Sequence, residues 1–282
     1  MLRICSDSTC DLSKELRERY NIDIIPLHVY LGQKEYRDGI DISPEEIFAW
    51  SDANNTTPKT SAPSSEDVIE IYRKNLEEYE QLVVFTISSS MSASYNVCRL
   101  AAEEIGEEDR ITVIDSANLS TGVGHLVIEA AVMASEGKNM KEIEEAILEL
   151  RGRVRSSFTI DTLTFLHRGG RCSGLAAFFG SALKLHPRIV VENGAMHSDK
   201  KYRGSLDRVI LKYTEDLREM LRNAKPDRVF ITHSCGPEIV DKVKDFLKSL
   251  NIFKEILDTK AGGVISSHCG PGTLGVLYIE KP

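Results

Sequence analysis

The sequence predicts an α/β protein made of two α/β domains, with a largely parallel sheet in the N-terminal one. Short β-branched strand patterns alternate with amphipathic helical patterns along the chain, as in α/β units. The length of 282 residues is more than most single domains have. A hydrophobic fraction of 41% beside a charged fraction of 28% is typical of a globular chain with a substantial core.

The first half contains four strand patterns and several helix-start signals. Ser43, followed by Pro44 and Glu46, has the pattern of a capping box with proline in the first helical turn. Ser64 opens a second helix, and a third begins around Ser92 to Ser94. The predicted strands are Leu2 to Cys5, Ile22 to Tyr30, Leu82 to Ile87 and Ile111 to Ile114, and a charged helix covers Glu142 to Leu150.

A domain boundary is predicted near residue 155, which gives domains 1–155 and 156–282. The stretch Gly152 to Ser157 follows a long helical pattern and precedes a new strand pattern. The predicted strands beyond it are Phe158 to Ile160, Arg188 to Val191, Val229 to Thr232, Glu255 to Asp258 and Leu274 to Ile279. The predicted helices are Leu206 to Leu221 and Ile239 to Leu250, with shorter ones at Gly174 to Leu183 and Gly262 to Ser267.

Charge and motif content exclude several classes of protein. A formal net charge of −8 disfavours general binding to nucleic acid or to an anionic membrane surface. No apolar run reaches the roughly 18 residues of a membrane span, and the N-terminus lacks a signal peptide, so we expect a cytoplasmic protein. The six cysteines have no metal-site spacing, and dinucleotide, P-loop, nucleophile-elbow and zincin motifs are missing. The sequence therefore predicts neither a metal nor a cofactor.

Two loops that precede predicted helices are dense in hydroxyl groups. One covers residues 54–65 and includes Thr60 and Ser61, and the other follows the strand that ends at Ile87 and includes Ser92 and Ser94. Ligands of α/β sheets bind beyond the carboxyl ends of the strands, where helix N-termini and hydroxyls converge on anions. Simple helix capping explains any single one of these hydroxyls better, and only the two loops together suggest an anion site. Both interpretations stay open on composition alone.

Three further segments could carry function. His268 lies in a glycine-rich stretch, Gly262 to Gly272, where it could donate to an oxyanion or be structural. Arg171 follows Gly169-Gly170 and could contact an anion or a partner, or follow a helix C-cap as a solvated side chain. Residues 175–183 are apolar around the whole helical circumference, which fits a buried helix or the wall of an apolar cavity. Residues 199–203, which end at Arg203, read as an exposed turn or as a docking surface for an acidic partner.

The motifs Asp7-Ser8-Thr9-Cys10-Asp11-Leu12, Thr60-Ser61-Ala62-Pro63-Ser64, Ile87 to Tyr95, Arg168-Gly169-Gly170-Arg171 and Ser266 to Gly272 extend over essentially the full chain. Together they resemble the DegV family of fatty acid-binding proteins. The resemblance implies a long-chain fatty acid between two α/β domains, with its tail inside the second. It also implies that Thr60, Ser61, Ser92 and His268 hold the carboxylate, and Ser94 keeps a hydroxyl beside them.

Members of this family are carrier subunits for a separate fatty acid kinase, so the resemblance implies a binding protein and not an enzyme. By the same analogy, Arg171 and Arg203 are candidates for contacts with the kinase or with the ligand. The implied partners are therefore a long-chain fatty acid and a kinase, with no nucleic acid and no stable insertion into a membrane.

Two alternatives remain open. One is an acyl hydrolase or transferase with a serine nucleophile between Ser88 and Ser94, His268 as base and Asp7 as the orienting carboxylate. The other is a phosphate-handling domain related to dihydroxyacetone-type kinases, which would need magnesium carboxylates. Asp38 and Asp41 are the nearest acidic pair, although a polar turn explains that segment better.

Overall fold

The computed structural model describes residues 1–173 and 185–282 and has the predicted α/β fold. The strands are β1 (Leu2–Asp7), β2 (Ile22–Ile25), β3 (His28–Leu31), β4 (Lys34–Arg37), β5 (Lys59–Ser61), β6 (Gln81–Thr86), β7 (Ile111–Asp115), β8 (Val154–Thr159), β9 (Cys172–Ser173), β10 (Leu185–Glu192), β11 (Ala195–Arg203), β12 (Ala224–His233), β13 (Glu255–Lys260) and β14 (Leu274–Glu280). The helices are α1 (Lys14–Arg19), α2 (Pro44–Asn54), α3 (Ser65–Glu78), α4 (Ser94–Glu104), α5 (Thr121–Ser135), α6 (Met140–Arg151), α7 (Thr164–Gly169), α8 (Leu206–Asp216), α9 (Arg218–Arg222), α10 (Pro237–Ser249) and α11 (Gly263–Cys269).

The N-terminal part is built on a four-stranded sheet in the order β2-β1-β6-β7, and every pairing in it is parallel. Both faces of this sheet are covered by helices, which is why its strands are apolar on both sides. Along β6, Leu82 and Val84 pack with α3 and α4, whereas Val83 and Phe85 pack with α5 and α6. The predicted parallel sheet is therefore confirmed.

The C-terminal part is a seven-stranded mixed sheet in the order β13-β12-β14-β8-β10-β11-β9. Helix α5 lies between this sheet and the parallel one and is buried from Thr121 through Ala131, which explains its apolar circumference. Helices α8 and α10 cover the opposite face. The first strand of this sheet in chain order, β8, starts at Val154. The division into 1–155 and 156–282 stays a prediction.

A small antiparallel sheet, β4-β3-β5, completes the N-terminal part. Helix α11 comes from the far end of the chain but packs against β3, β5 and α2. Its Val264 belongs to the same apolar cluster as Leu27, Val29 and Ile47. The fold thereby places residues near position 265 against residues near position 60.

Three local predictions are wrong. Ile22 to Tyr30 is not one strand but two, β2 and β3, in different sheets, because Pro26 lacks the N–H that a continuous ladder requires. Residues 199–203 are not a turn. They end strand β11, with Tyr202 buried between exposed neighbours. The helix predicted over residues 206–221 is divided into α8 and α9 at Leu217.

The helix predicted at Gly174 to Leu183 lies outside the described residues. In the described ranges, no helix combines the length and the apolar character that crossing a bilayer requires. The cytoplasmic location stays a prediction.

Candidate functional site

A cavity of about 180 Å³ lies where β5, the loop after β6 and α11 meet. Five of the described residues that line it are polar: Thr60, Ser61, Ser92, Arg171 and His268. Most of the rest of its described lining is apolar and includes Leu27, Ile87, Met91, Leu119, Met196 and Ile265. We call this space the Thr60 cavity. It brings together four of the five residues predicted to hold a carboxylate.

Thr60 and His268 are in direct contact across the cavity. Thr60 is fixed by the register of β5 on β3, where it lies opposite Val29. Its Oγ1 is 2.8 Å from Nε2 of His268, near the C-terminal end of α11. The contact joins two parts of the chain that only the packing of α11 on the small sheet brings together.

The imidazole of His268 is largely removed from water. Its Nδ1 is buried and has no hydrogen-bond partner among the described residues. Burial, and then the charge of Arg171, lowers the pKa of His268 to about 4, so the ring is neutral near pH 7. Gly169 packs directly against Nδ1, and a Cβ at that position would collide with the ring. Glycine is therefore required here for a close approach.

Ser92 and Ser94 form a hydroxyl pair at the start of α4. The two Oγ atoms lie 2.8 Å apart, and the amide of Ser94 donates to Ser92 Oγ at 3.2 Å. Ser92 lines the Thr60 cavity, whereas Ser94 is fully buried and is not among its described lining. The structure therefore places Ser94 behind Ser92, where it can orient the Ser92 hydroxyl.

The two predicted arginines lie apart. Arg171 is exposed at the cavity and follows Gly170, which caps α7 in the left-handed conformation with φ of 67°. Its guanidinium donates to the carbonyls of Gly169 at 2.5 Å and of Met91 at 3.5 Å. Arg203 is the exposed last residue of β11 and is not among the described lining of the cavity.

Sequence reasoning missed the apolar part of the site. Met196, on β11, lines the cavity, as does Leu119 in the loop before α5. Both belong to an apolar cluster that spans the two parts of the chain, which we call the inner apolar cluster: Ile87, Met91, Leu119, Phe158, Ile160, Leu166, Ile189, Val191, Met196, Ala261, Ile265 and Cys269. The apolar residues 175–183, predicted as buried helix or cavity wall, lie outside the described residues.

A larger cleft of about 800 Å³ lies beside α6, β8 and β10, but the arginines that line it have protein partners. Arg155 pairs with Glu280 at 2.6 Å, Arg188 pairs with Asp199, and Arg151 donates to the carbonyl of Asp115 at 2.7 Å. Residues 1–173 and 185–282 also contain no group of three or more His, Cys, Asp or Glu side chains placed to hold a metal. The Thr60 cavity is thus the better candidate for a functional site.

Comparison with known proteins identifies the family. The sequence model of an uncharacterised family, DegV, matches residues 1–281. The chain belongs to the DegV family. A DegV domain-containing protein of Clostridium perfringens is 32% identical over 280 residues, covering 99% of both chains.

Solved structures of DegV proteins have the same fold. A Thermus thermophilus DegV family protein, described by its fatty acid binding, has a TM-score of 0.91 and 32% identity, with 99% of each chain covered. DegV of Bacillus subtilis, described as a fatty acid binding protein, has a TM-score of 0.85 and 27% identity, again covering 99% of each chain. A stearic acid-binding protein of Eubacterium ventriosum has a TM-score of 0.87 and 28% identity, covering 100% of this chain and 99% of its own. The resemblance seen in the sequence is thereby confirmed.

Proposed function

We propose that this DegV protein binds a long-chain fatty acid, with the carboxylate at Thr60, Ser61, Ser92 and His268. The observation that carries the proposal is the composition of the Thr60 cavity, whose hydroxyls, imidazole and guanidinium lie beside a described lining that is otherwise mostly apolar. Three solved relatives with the same fold are described as binding fatty acids, one of them stearic acid. A ligand with one acidic group and a long apolar tail fits this combination.

The energetics favour such a ligand. Burying about fourteen methylenes at about 0.8 kcal/mol each supplies on the order of 11 kcal/mol before the losses of freedom on binding. The carboxylate loses several kcal/mol of hydration, which hydrogen bonds of about 1.5 to 3 kcal/mol each from hydroxyls or the imidazole offset. Neutral donors therefore suffice to hold the head group.

The tail requires more room than the Thr60 cavity provides. The volume of the cavity, about 180 Å³, is below the roughly 300–1,000 Å³ of common ligand sites. We propose that the cavity holds the head group and first methylenes, and that the tail enters the second domain by separating side chains of the inner apolar cluster. Met91 and Met196 suit this role because unbranched thioether side chains repack readily.

We further propose that the protein is a carrier that presents its acid to a separate fatty acid kinase and does no chemistry itself. Arg171, exposed at the cavity, and Arg203, exposed on β11, are the proposed contacts with that partner or, for Arg171, with the ligand. In both cases a guanidinium could pair with acidic groups of a kinase surface.

The geometry gives the two alternatives less support. The hydroxyl of Ser92 bonds to Ser94 and not to His268, and the carboxylate of Asp7 accepts hydrogen bonds from Thr9 and from the amide of Ile87. The carboxylate of Asp38 accepts from Ser8 and from a backbone amide, whereas Asp41 pairs with Arg37, so the two do not face a common ion. Neither a triad nor a magnesium pair is assembled among these described residues.

Native mass spectrometry of freshly purified protein, before and after mild organic extraction, tests the binding proposal. We expect an adduct of fatty acid mass that extraction removes and added palmitate restores. Thr60→Val should retain less acid, whereas Ser249→Ala, which removes an exposed hydroxyl distant from the cavity, should retain as much as the parent. The proposal fails if the extracted parent takes up no acid.

The carrier proposal has its own test. Loaded protein is incubated with MgATP and hydroxylamine, which traps any acyl phosphate as a hydroxamate. We expect no hydroxamate from the protein alone and formation of hydroxamate when a fatty acid kinase is added. Formation of hydroxamate by the protein alone would overturn the carrier role, but it would not contradict the proposal that the protein binds a fatty acid.

A further inference from the structure

The first turn of α11 is held by two buried carboxylates from the other end of the chain. The amide of Gly262 donates to Asp11 Oδ1 at 2.9 Å, and the amide of Gly263 donates to Asp38 Oδ1 at 2.7 Å. The first amides of a helix have no partner within it, and glycine at the N-cap offers no side-chain oxygen to accept from them. Residues of the N-terminal part therefore supply the cap.

Each carboxylate is itself fixed through its second oxygen. Ser120 donates its hydroxyl to Asp11 Oδ2 at 2.6 Å, and Ser8 donates to Asp38 Oδ2 at 2.8 Å. Ser8 Oγ in turn accepts from the amide of Leu27 at 3.1 Å, and the amide of Asp38 donates to the carbonyl of Leu27 at 2.8 Å. Since Leu27 lines the Thr60 cavity, Asp38 connects the cavity wall to α11.

The two glycines allow the carboxylates to come this close. A Cβ on Gly262 would lie 2.8 Å from Asp11 Oδ1, and a Cβ on Gly263 would lie 2.8 Å from Asp38 Oδ1. Burial raises the pKa of both carboxyl groups. The helix N-terminus and the serine hydroxyls stabilise both carboxylates, and the amide of Gly39 also donates to Asp38.

Helix α11 connects this cap to the cavity. It has seven residues, so a shift of its first turn is transmitted to the last. His268 lies near the last turn, where Nε2 meets Thr60 Oγ1 at 2.8 Å. Loss of the cap would release the helix at the end opposite to the imidazole.

We infer that Asp38, together with Asp11, is a positioning residue that sets His268 against Thr60 for recognition of the ligand head group. The inference rests on the proposed function for its ligand. It also gives a role to Asp38, which the sequence offered only as part of a polar turn or of an acidic pair for magnesium. Asp38 acts through α11 and does not line the described cavity itself.

The test compares Asp38→Ala, Asp38→Asn and the parent by palmitate affinity and by the ¹⁵N resonances of the His268 imidazole. Asp38→Ala should weaken palmitate binding about tenfold or more and shift the Nε2 resonance, because the hydrogen bond to Thr60 is lost. Asp38→Asn keeps an oxygen for the Gly263 amide, so it should restore most of the affinity and the parental resonance. Asn139→Ala removes the capping box of α6, away from the cavity, and should lower the melting temperature without changing either readout.

Ser8→Ala provides a second variant if Asp38→Ala does not fold. It leaves the Asp38 carboxylate in place but frees its Oδ2, and it should weaken binding less than tenfold and shift the same resonance. Parental affinity and unchanged His268 resonances in the folded Asp38 and Ser8 variants would overturn the inference. If the parent itself binds no palmitate, the proposed function fails, while the His268 resonance still decides whether Asp38 positions the ring.

Discussion

The hydroxyl of Thr60 lies 2.8 Å from Nε2 of His268, although 208 positions separate the two residues in the sequence. One belongs to a strand of the small N-terminal sheet and the other to the last helix of the chain. The site consequently exists only while α11 is packed on that sheet. Substitutions that disturb the packing around α11 should therefore affect ligand binding as strongly as substitutions within the cavity.

Ser92→Ala should weaken fatty acid binding more than Ser94→Ala. Ser92 lines the cavity and can donate to a carboxylate, whereas Ser94 is buried behind it and orients its hydroxyl. A hydrogen bond to a charged group contributes about 1.5 to 3 kcal/mol, so the expected loss for Ser92→Ala is about tenfold or more in Kd. Competition against a fluorescent fatty acid measures both variants. Equal losses would assign the two hydroxyls the same role.

Binding should strengthen as the pH falls through the pKa that His268 has beside a bound carboxylate, which lies above its value of about 4 without one. Burial, and then the charge of Arg171, lowers the pKa of His268 to about 4 by disfavouring its charged form. A carboxylate placed beside the ring favours the charged form, so the pKa rises on binding and the complex takes up a proton. Affinity therefore rises as the pH falls through the pKa of the complex toward about 4, with a slope of at most about tenfold per pH unit.

His268→Gln identifies the group responsible for this pH dependence. Asp7, Asp11 and Asp38 are buried near α11, and burial raises the pKa of each, that of Asp7 to about 6. An incoming anion would raise these pKa values further and also cause proton uptake. The slope should flatten in His268→Gln if the imidazole dominates, measured as Kd at constant ionic strength. If His268→Gln kept the parental slope, the carboxyl groups and not the imidazole would cause the pH dependence of the Kd.

The parallel sheet was predictable from the sequence because its strands are short apolar runs bounded by helix-start signals. Ser43 and Ser64 cap α2 and α3 as their patterns indicate. The small sheet could not be predicted in this way. Only Pro26 and Leu27 separate β2 from β3, and these two residues are themselves apolar, so the hydrophobic pattern has no break where the chain passes from one sheet to the other. The end of strand β11 was predicted as a turn because residues 199–203 are mostly charged, and only Tyr202 among them is buried.

Composition suggested hydroxyls near an anion but did not pair them with an imidazole. That pairing came from the family resemblance, because nothing in the local sequence of α11 indicates that it packs on a sheet built by residues 28–61. Met196 was equally hidden, since its place in the cavity depends on how β11 pairs with β10. Hydrophobic periodicity predicts helices and strands, but it does not predict which distant segments contact each other in the site.

Gly194→Ala should destabilise the contact between the two parts of the protein. Gly194 is at the tip of the β10–β11 hairpin with φ of +79°, and its carbonyl accepts from Ser88 Oγ at 2.6 Å. A Cβ there would lie 2.7 Å from the same Oγ. The left-handed backbone alone costs alanine about 1 to 2 kcal/mol, and the clash adds to it, so we expect a loss of about 2 kcal/mol or more in the free energy of unfolding.

Urea denaturation of Gly194→Ala beside Gly106→Ala separates these two costs. Gly106 has φ of +67°, and no described atom lies within 4 Å of the point that an alanine Cβ would occupy, so its variant should show the backbone cost alone. Adding Ser88→Ala to Gly194→Ala removes the hydroxyl that the new Cβ would meet, so it should restore part of the stability lost to the clash. Equal losses at the two glycines would mean that the hairpin tip is not tightly docked on the Ser88 loop.

Gly169→Ala should weaken fatty acid binding by displacing the imidazole of His268. Alanine normally favours a helix over glycine, and Gly169 ends α7 in ordinary helical conformation. Its Cβ, however, would collide with Nδ1 of His268 and displace the ring from Thr60. We expect a Kd raised about tenfold, and the collision with the buried ring should also lower the melting temperature. Gly170→Ala, with φ of +67° and no described atom within 4 Å of the added Cβ, should lower stability and leave the affinity unchanged.

A double-mutant cycle shows whether Gly169 acts through His268. In a His268→Ala background the imidazole is absent, so the methyl group of Gly169→Ala displaces nothing. The double variant should therefore have the same Kd as His268→Ala alone. The interaction energy of the cycle then equals the whole effect of Gly169→Ala. Additive losses would mean that the methyl group disturbs α7 or Arg171 and that the close approach of Gly169 to the imidazole does not govern recognition of the head group.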